Sequence, residues 1–124
     1  EHMLVAWNGS REATLAIRGA LPLLKRASRI TVLEGDPSPS PLGIDTLPDF
    51  NLRTWFERRG ISAEFRPFKP GKDHGHALLE VANGMGANMI VLGAWGQSRI
   101  TELVLGGVTR HLFQHSNLPL LVAH

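Results

Sequence analysis

Apolar residues follow two alternating rhythms along the chain: short unbroken runs and stripes at helical spacing. Met3 to Trp7 is an unbroken run closed by Asn8-Gly9-Ser10, which predicts a strand buried on both faces and ending in a turn. Ser10 is placed to cap the segment after it. From Arg11 to Ala27 the apolar positions Leu15, Ala16, Gly19, Ala20, Leu23 and Leu24 recur at helical spacing, so this segment reads as a helix, with Pro22 as the one conflict and a candidate kink. Ile30 to Leu33 predicts a second strand, stopped by Glu34-Gly35-Asp36. Pro37, Pro39, Pro41 and Pro48 mark a loop. Leu47 to Arg59 then carries Phe50, Leu52, Trp55 and Phe56 as a helix ended by Gly60.

Ile61 to Phe68 alternates, with Ala63, Phe65 and Pro67 on one side and Glu64 and Arg66 on the other. This pattern predicts a strand with one solvated face, and Pro67 restricts it to a sheet edge. After the Pro70-Gly71 turn, Ala77, Leu78, Val81 and Ala82 form a helical stripe over His76 to Ala82, with Gly84 and Gly86 read as its stop. Met89 to Leu92 is a fourth strand, apolar on both faces; Leu105, Val108 and Leu112 mark a last helix ending near Ser116, and Leu118 to Ala123 a fifth strand. The order βαβαβαβαβ predicts an α/β fold with an open parallel five-stranded sheet and helices on both faces. Ligands of such sheets bind at the carboxyl ends of the strands. That directs attention to Ala6 to Ser10, Leu33 to Asp36 and Gly93 to Gly107.

A length of 124 residues fits one domain spanning 1–124, and 43% hydrophobic with 19% charged residues is a globular composition. The net charge is only +2. The basic pairs Lys25-Arg26 and Arg58-Arg59 fall at expected helix C-termini, where cations favour the helix dipole, and no basic stripe suggests nucleic acid. The absence of cysteine excludes disulfides and thiolate metal sites. It also permits a reducing cytosol, and a cytoplasmic protein is expected; no apolar run reaches the length of a membrane span. Glu1-His2-Met3 runs straight into the first strand; such a start suggests a trimmed chain, a cloning remnant at His2-Met3, or one domain of a longer protein.

Gly93-Ala94-Trp95-Gly96, followed after nine residues by Gly106-Gly107, leads into the last helix. Glycines allow a sharp turn and close backbone approach to a ligand, and free N–H groups at a helix start hold phosphate. Spacing alone leaves open whether this is a phosphate cradle or a plain turn after a strand. Gln97, Ser98 and Arg99 are candidate donors to phosphate oxygens. No P-loop or dinucleotide fingerprint is present. Gly96-Gln97-Ser98-Arg99-Ile100 lacks the second glycine of a nucleophile elbow. His111 and His115 stand four apart, and His74-Gly75-His76 opens a helix, yet no third ligand has suitable spacing, so no metal site is expected. Trp7 and Trp95 end two strands and suit either an adenine pocket or core packing.

Three features together resemble the universal stress protein family over nearly the whole chain: Val5-Ala6-Trp7-Asn8-Gly9-Ser10, the Gly93-x2-Gly96-x9-Gly106 spacing, and the closing Ser116-Asn117-Leu118-Pro119-Leu120-Leu121-Val122. Trp7 to Glu12 and Leu105 to Arg110 look most like the second half of tandem two-domain bacterial members. The resemblance implies an adenine nucleotide alpha hydrolase-like (Rossmann-like) sheet in the order 3-2-1-4-5. It also implies a homodimer, or pairing with a sister domain, through Leu118 to Ala123, and in many members ATP or AMP binding, with or without magnesium. Carried onto this sequence, Asn8 matches an acid that contacts adenosine, Glu34 ends the strand whose backbone meets adenine, and Gly93, Gly96 and Gly106 match the phosphate-loop glycines.

The implied contact set is Ala6, Trp7, Asn8, Glu34, Gly93, Gly96, Gln97, Ser98, Arg99, Gly106, Gly107, Val108 and Thr109. Two positions depart from the pattern: Asn8 replaces the acid, and Gly107 stands where Ser or Thr is expected. Asn8 keeps a carbonyl acceptor, and Gly107 keeps its N–H while losing a hydroxyl donor. A regulatory nucleotide-binding domain is the first expectation. An interaction module of the same fold that binds no nucleotide is the alternative. At most a slow ATPase is expected, since Glu102 is the one carboxylate in the loop and no catalytic residue stands out.

Overall fold

In the computed structural model the described residues are 1–7, 11–35, 51–69, 74–93, 111–112 and 114–123. Five strands, β1 (His2–Trp7), β2 (Arg29–Glu34), β3 (Glu64–Pro67), β4 (Met89–Gly93) and β5 (Leu120–Ala123), form one sheet in the order β3-β2-β1-β4-β5. Every neighbouring pair is parallel. The connecting helices are α1 (Arg11–Arg26), α2 (Leu52–Arg58) and α3 (His74–Met85). Residues 111–112 and 114–115 are also helical.

β1 is central and buried along its whole length. Its side chains alternate between two cores. Met3, Val5 and Trp7 pack with Ala13, Ala16, Ile17, Ala20 and Leu24 of α1 and Leu52 and Phe56 of α2. Leu4 and Ala6 pack on the opposite face with Leu78, Leu79 and Ala82 of α3 and with Leu112. This two-sided burial is what makes β1 and β4 read as unbroken apolar runs.

His2 is the first residue of β1, one position before the expected start. It is buried, its N–H donates to Asn88 Oδ1 at 2.6 Å, and the Asn88 N–H donates to the His2 carbonyl at 2.6 Å. Its ring lies between the Met85 carbonyl (Nδ1, 3.3 Å) and the Thr31 hydroxyl (Nε2, 2.8 Å). A carbonyl only accepts, so Nδ1 is the nitrogen placed to donate to Met85, while Nε2 and the buried Thr31 hydroxyl share the second hydrogen bond.

The fold departs from the local pattern at five places. Leu15 and Leu23 are expected on the packed stripe of α1, but they are 40% and 42% exposed. At 100° per residue Leu15 lies across the helix from the Ala13-Ala16-Ile17-Ala20-Leu24 face, and Leu23 lies on its flank. α1 continues through Pro22, which is only partly buried. α2 begins at Leu52, not Leu47, because Asn51 adopts an extended backbone and its side chain accepts from the Thr54 N–H at 3.1 Å, an N-cap. α3 runs to Met85 with Gly84 inside it, and only Gly86, at φ +70°, is the left-handed stop. β3 and β5 are shorter than expected, four residues each. Gly60 does end α2 in the left-handed region, at φ +69°.

The two edges differ in chemistry. β3 is mostly exposed and carries Pro67, as an edge strand tolerates, with Glu64 between Arg66 at 3.0 Å and Arg29 at 3.5 Å. The hydrogen bond from Arg66 is the largest influence on the Glu64 carboxyl; together with the Arg66 charge and the hydrogen bond and charge of Arg29, it holds the group below its ordinary range against the opposing effect of desolvation. β5 is half-buried throughout and apolar, with β4 on one side.

Candidate functional site

The strand order reverses between β1 and β4, and in open parallel sheets of this kind ligands bind at the carboxyl ends of the strands at such a switch point. Register fixes what stands there. Ala6 pairs with Leu33 and Leu92, and Trp7 pairs with Glu34. Trp7, Glu34 and Gly93 are each the last residue of their strands, so the structure brings together all four described members of the expected contact set. Asn8, Gly96, Gln97, Ser98, Arg99, Gly106, Gly107, Val108 and Thr109 lie outside the described residues, as does Trp95.

The ladder continues past the strand ends around Glu34. The Gly35 N–H donates to the Trp7 carbonyl at 2.8 Å, and the Phe68 N–H donates to the Glu34 carbonyl at 2.8 Å. Each carbonyl has a second lone pair, so both keep acceptor capacity. Trp7 is 7% exposed and packs in the core under α1 and α2. The Trp7 ring takes part in core packing, one of the two uses open to it from sequence. Ala6 packs on the α3 side.

Glu34 and Gly93 gain neighbours that sequence reasoning missed. The Glu34 carboxylate lies 3.8 Å from the guanidinium of Arg53, which stacks 4.2 Å over the Phe65 ring. This is a half-exposed pair, a weak contribution to stability that nevertheless orients Glu34 toward α2. At Gly93 the first turn of α1 is the neighbour. A Cβ there would sit 2.5 Å from the Glu12 carbonyl carbon, 2.7 Å from the Glu12 Cβ, and closer still to the Ala13 nitrogen. Packing alone therefore demands glycine at this strand exit. The same contact places Glu12, an acid in the first turn of α1, beside Gly93. Its position near a helix start was legible in sequence, its approach to a residue 81 positions away was not.

Among the described residues no three His, Asp or Glu side chains converge as a ready metal site, and no helix is long and apolar enough to cross a membrane.

A parallel sheet in this order, with helices on both faces and a switch point between β1 and β4, defines a domain of the adenine nucleotide alpha hydrolase-like fold. The model of the universal stress protein family matches residues 1–124, and the chain belongs to that family. Universal stress protein MJ0577 of Methanocaldococcus jannaschii is 33% identical over 45 residues, a stretch spanning 36% of this chain and 28% of that protein. A universal stress protein solved in complex with cAMP superposes with a TM-score of 0.67 at 24% identity, over 100% of this chain and 96% of that one. The universal stress protein from Archaeoglobus fulgidus in complex with dAMP gives 0.64 at 18% identity, over 98% and 96%.

Proposed function

We propose that this domain binds an adenine nucleotide, ATP or AMP, at the carboxyl ends of β1, β2 and β4, and acts as a regulatory module. The observation that carries the reading is the meeting of Trp7, Glu34 and Gly93 at the switch point of a sheet shared with relatives solved with cAMP and dAMP. The base would lie against the backbone at Glu34, where the carbonyl keeps a lone pair for the exocyclic amine. The phosphates would lie along the glycine-rich segment from Gly93 to Thr109, with Gln97, Ser98 and Arg99 as further donors and Asn8 as acceptor to a sugar hydroxyl. Glu12 beside Gly93 adds an acid near the phosphates, a reason to compare binding with and without magnesium. β5, an apolar strand with β4 on one side, is the surface for a second copy or a sister domain.

Calorimetric titration of the chain with ATP, AMP and cAMP, each with and without magnesium, tests the pocket. Saturable binding tighter than about 1 mM, or about 4 kcal/mol, is the expected result. Gly96→Glu should abolish it with the fold intact, and Gly107→Ser should tighten ATP by about 0.5 to 1.5 kcal/mol through a restored hydroxyl donor. No saturable binding of any of the three overturns the nucleotide reading. Light scattering at about 50 μM should give a dimer, and a monomer overturns the pairing through β5.

One observation favours the interaction-module alternative: the fit of Gly93 against Glu12 and Ala13 accounts for that glycine with no ligand. Dimerisation without nucleotide binding in the same experiments would select it.

A further inference from the structure

The nucleotide reading leaves unused a group of imidazoles on the α3 side of the sheet. His111 and His115 stand four apart on the helical residues before β5, their ring centres 4.5 Å apart and their planes at 40°. His111 is half-buried and held from behind: a Cβ on Gly75 would sit 2.6 Å from the His111 Cβ, so the start of α3 presses directly on it. His115 is exposed. His76 of α3 meets His111 edge-on at 6.0 Å, and its Nε2 lies 3.2 Å from Glu80 Oε1.

Two neutral imidazoles one helical turn apart are a chelating pair. With metal–nitrogen bonds of about 2.0 to 2.1 Å, and each ring centre about 1.1 to 1.2 Å behind its nitrogen, both centres lie about 3.2 Å from the metal. Ligands at right angles then place ring centres about 4.5 Å apart, and tetrahedral ligands about 5.2 Å. The observed 4.5 Å fits the right-angled case once each ring turns a nitrogen to a shared ion. The 6.0 Å to His76 is too long for a second right-angled neighbour of His111, and His76 is already paired with Glu80. Right-angled nitrogen donors with open positions suit Cu²⁺ or Ni²⁺ better than tetrahedral Zn²⁺.

We propose that His111 and His115 form a bidentate site for a tetragonal divalent ion, Cu²⁺ or Ni²⁺, with solvent in the remaining positions. The site is independent of nucleotide binding, and it would tie together helical residues that precede β5. A metal competes with protons for the imidazole nitrogens, so affinity falls as the solution is acidified.

The test uses the full chain without a polyhistidine tag, titrated with Cu²⁺ alone by calorimetry near neutral pH, with electron paramagnetic resonance to count nitrogen donors. One ion per chain and two nitrogens are expected. His115→Ala changes an exposed side chain and should keep the fold by circular dichroism. It should lose at least the about 10-fold in affinity that even an outer-shell partner can contribute. His76→Ala should leave affinity unchanged. Equal binding by His115→Ala and the parent chain, three or more nitrogens, or an equal loss in His76→Ala would each overturn the bidentate assignment, as would no binding of Cu²⁺ below about 1 mM.

Discussion

Substituting Gly93→Ala asks how tightly the exit of β4 is held against the start of α1. The added Cβ would stand 2.5 Å from the Glu12 carbonyl carbon and 2.7 Å from its Cβ, whereas comfortable carbon contacts are about 3.5 to 4.0 Å. Both groups belong to the first turn of α1, so no flexible side-chain end is available to swing away. Relief requires the helix start or the strand exit to move by about 1 Å. Overpacking of this kind costs about 1 to 3 kcal/mol, and with backbone as the obstacle the upper half of that range is expected. For a chain of this length that corresponds to a fall in Tm of roughly 6 to 15 °C.

Gly84→Ala supplies the control. Gly84 is helical, nothing lies within 4 Å of its added Cβ, and the change should stabilise by about 0.4 to 1 kcal/mol. Thermal and urea unfolding followed by circular dichroism would measure both. A Gly93→Ala variant within about 0.5 kcal/mol of the parent, the ordinary range of innocuous surface changes, would refute the packing described at this exit. The same variant separates the two uses of Gly93. If it unfolds at lower temperature yet binds nucleotide normally when folded, the glycine serves the helix contact alone.

Other outcomes rest on single features. Asn51→Ala removes the N-cap that accepts from Thr54 and should cost about 1 kcal/mol in denaturant unfolding, with Asn51→Asp or Asn51→Ser close to the parent. Gly86→Ala forces a side chain into the left-handed region at φ +70° and should cost about 1 to 2 kcal/mol, although space around it is open. The Glu64 carboxyl is held low by Arg66 and Arg29, so its contribution is present above the unfolded carboxylate range and is lost as pH falls through its depressed folded value. Glu64→Gln should therefore be less stable than the parent at neutral pH, the difference shrinking on acidification. An NMR titration placing the Glu64 carboxyl at or above ordinary glutamates would contradict this.

Much of the architecture is written locally. Short unbroken apolar runs at β1 and β4, the first closed by Asn8-Gly9-Ser10, read as strands buried on both faces. The helical stripes between strands require crossovers, and together these specify a parallel sheet covered on two sides. Pro67 at an edge and Gly60 at a helix end were equally legible, because each expresses a constraint of its own backbone. The strand order came from the family resemblance and is borne out by the pairing, since local pattern has no term for which strand lies beside which.

Properties set by approach between distant residues became visible only in the folded chain. Leu15 is apolar at helical spacing yet faces away from the sheet, because the phase of a helix is set by what it docks on. Gly93 and Gly75 look alike in sequence to any turn glycine, but each is required by another element lying where its side chain would be, Glu12 and Ala13 in one case and His111 in the other. Arg53 reaching Glu34, and His76 meeting His111, likewise depend on crossovers that bring remote segments together. Residue type and spacing decide the elements, because hydrogen bonding and burial act along the chain; which side chains share a site is decided by packing across it.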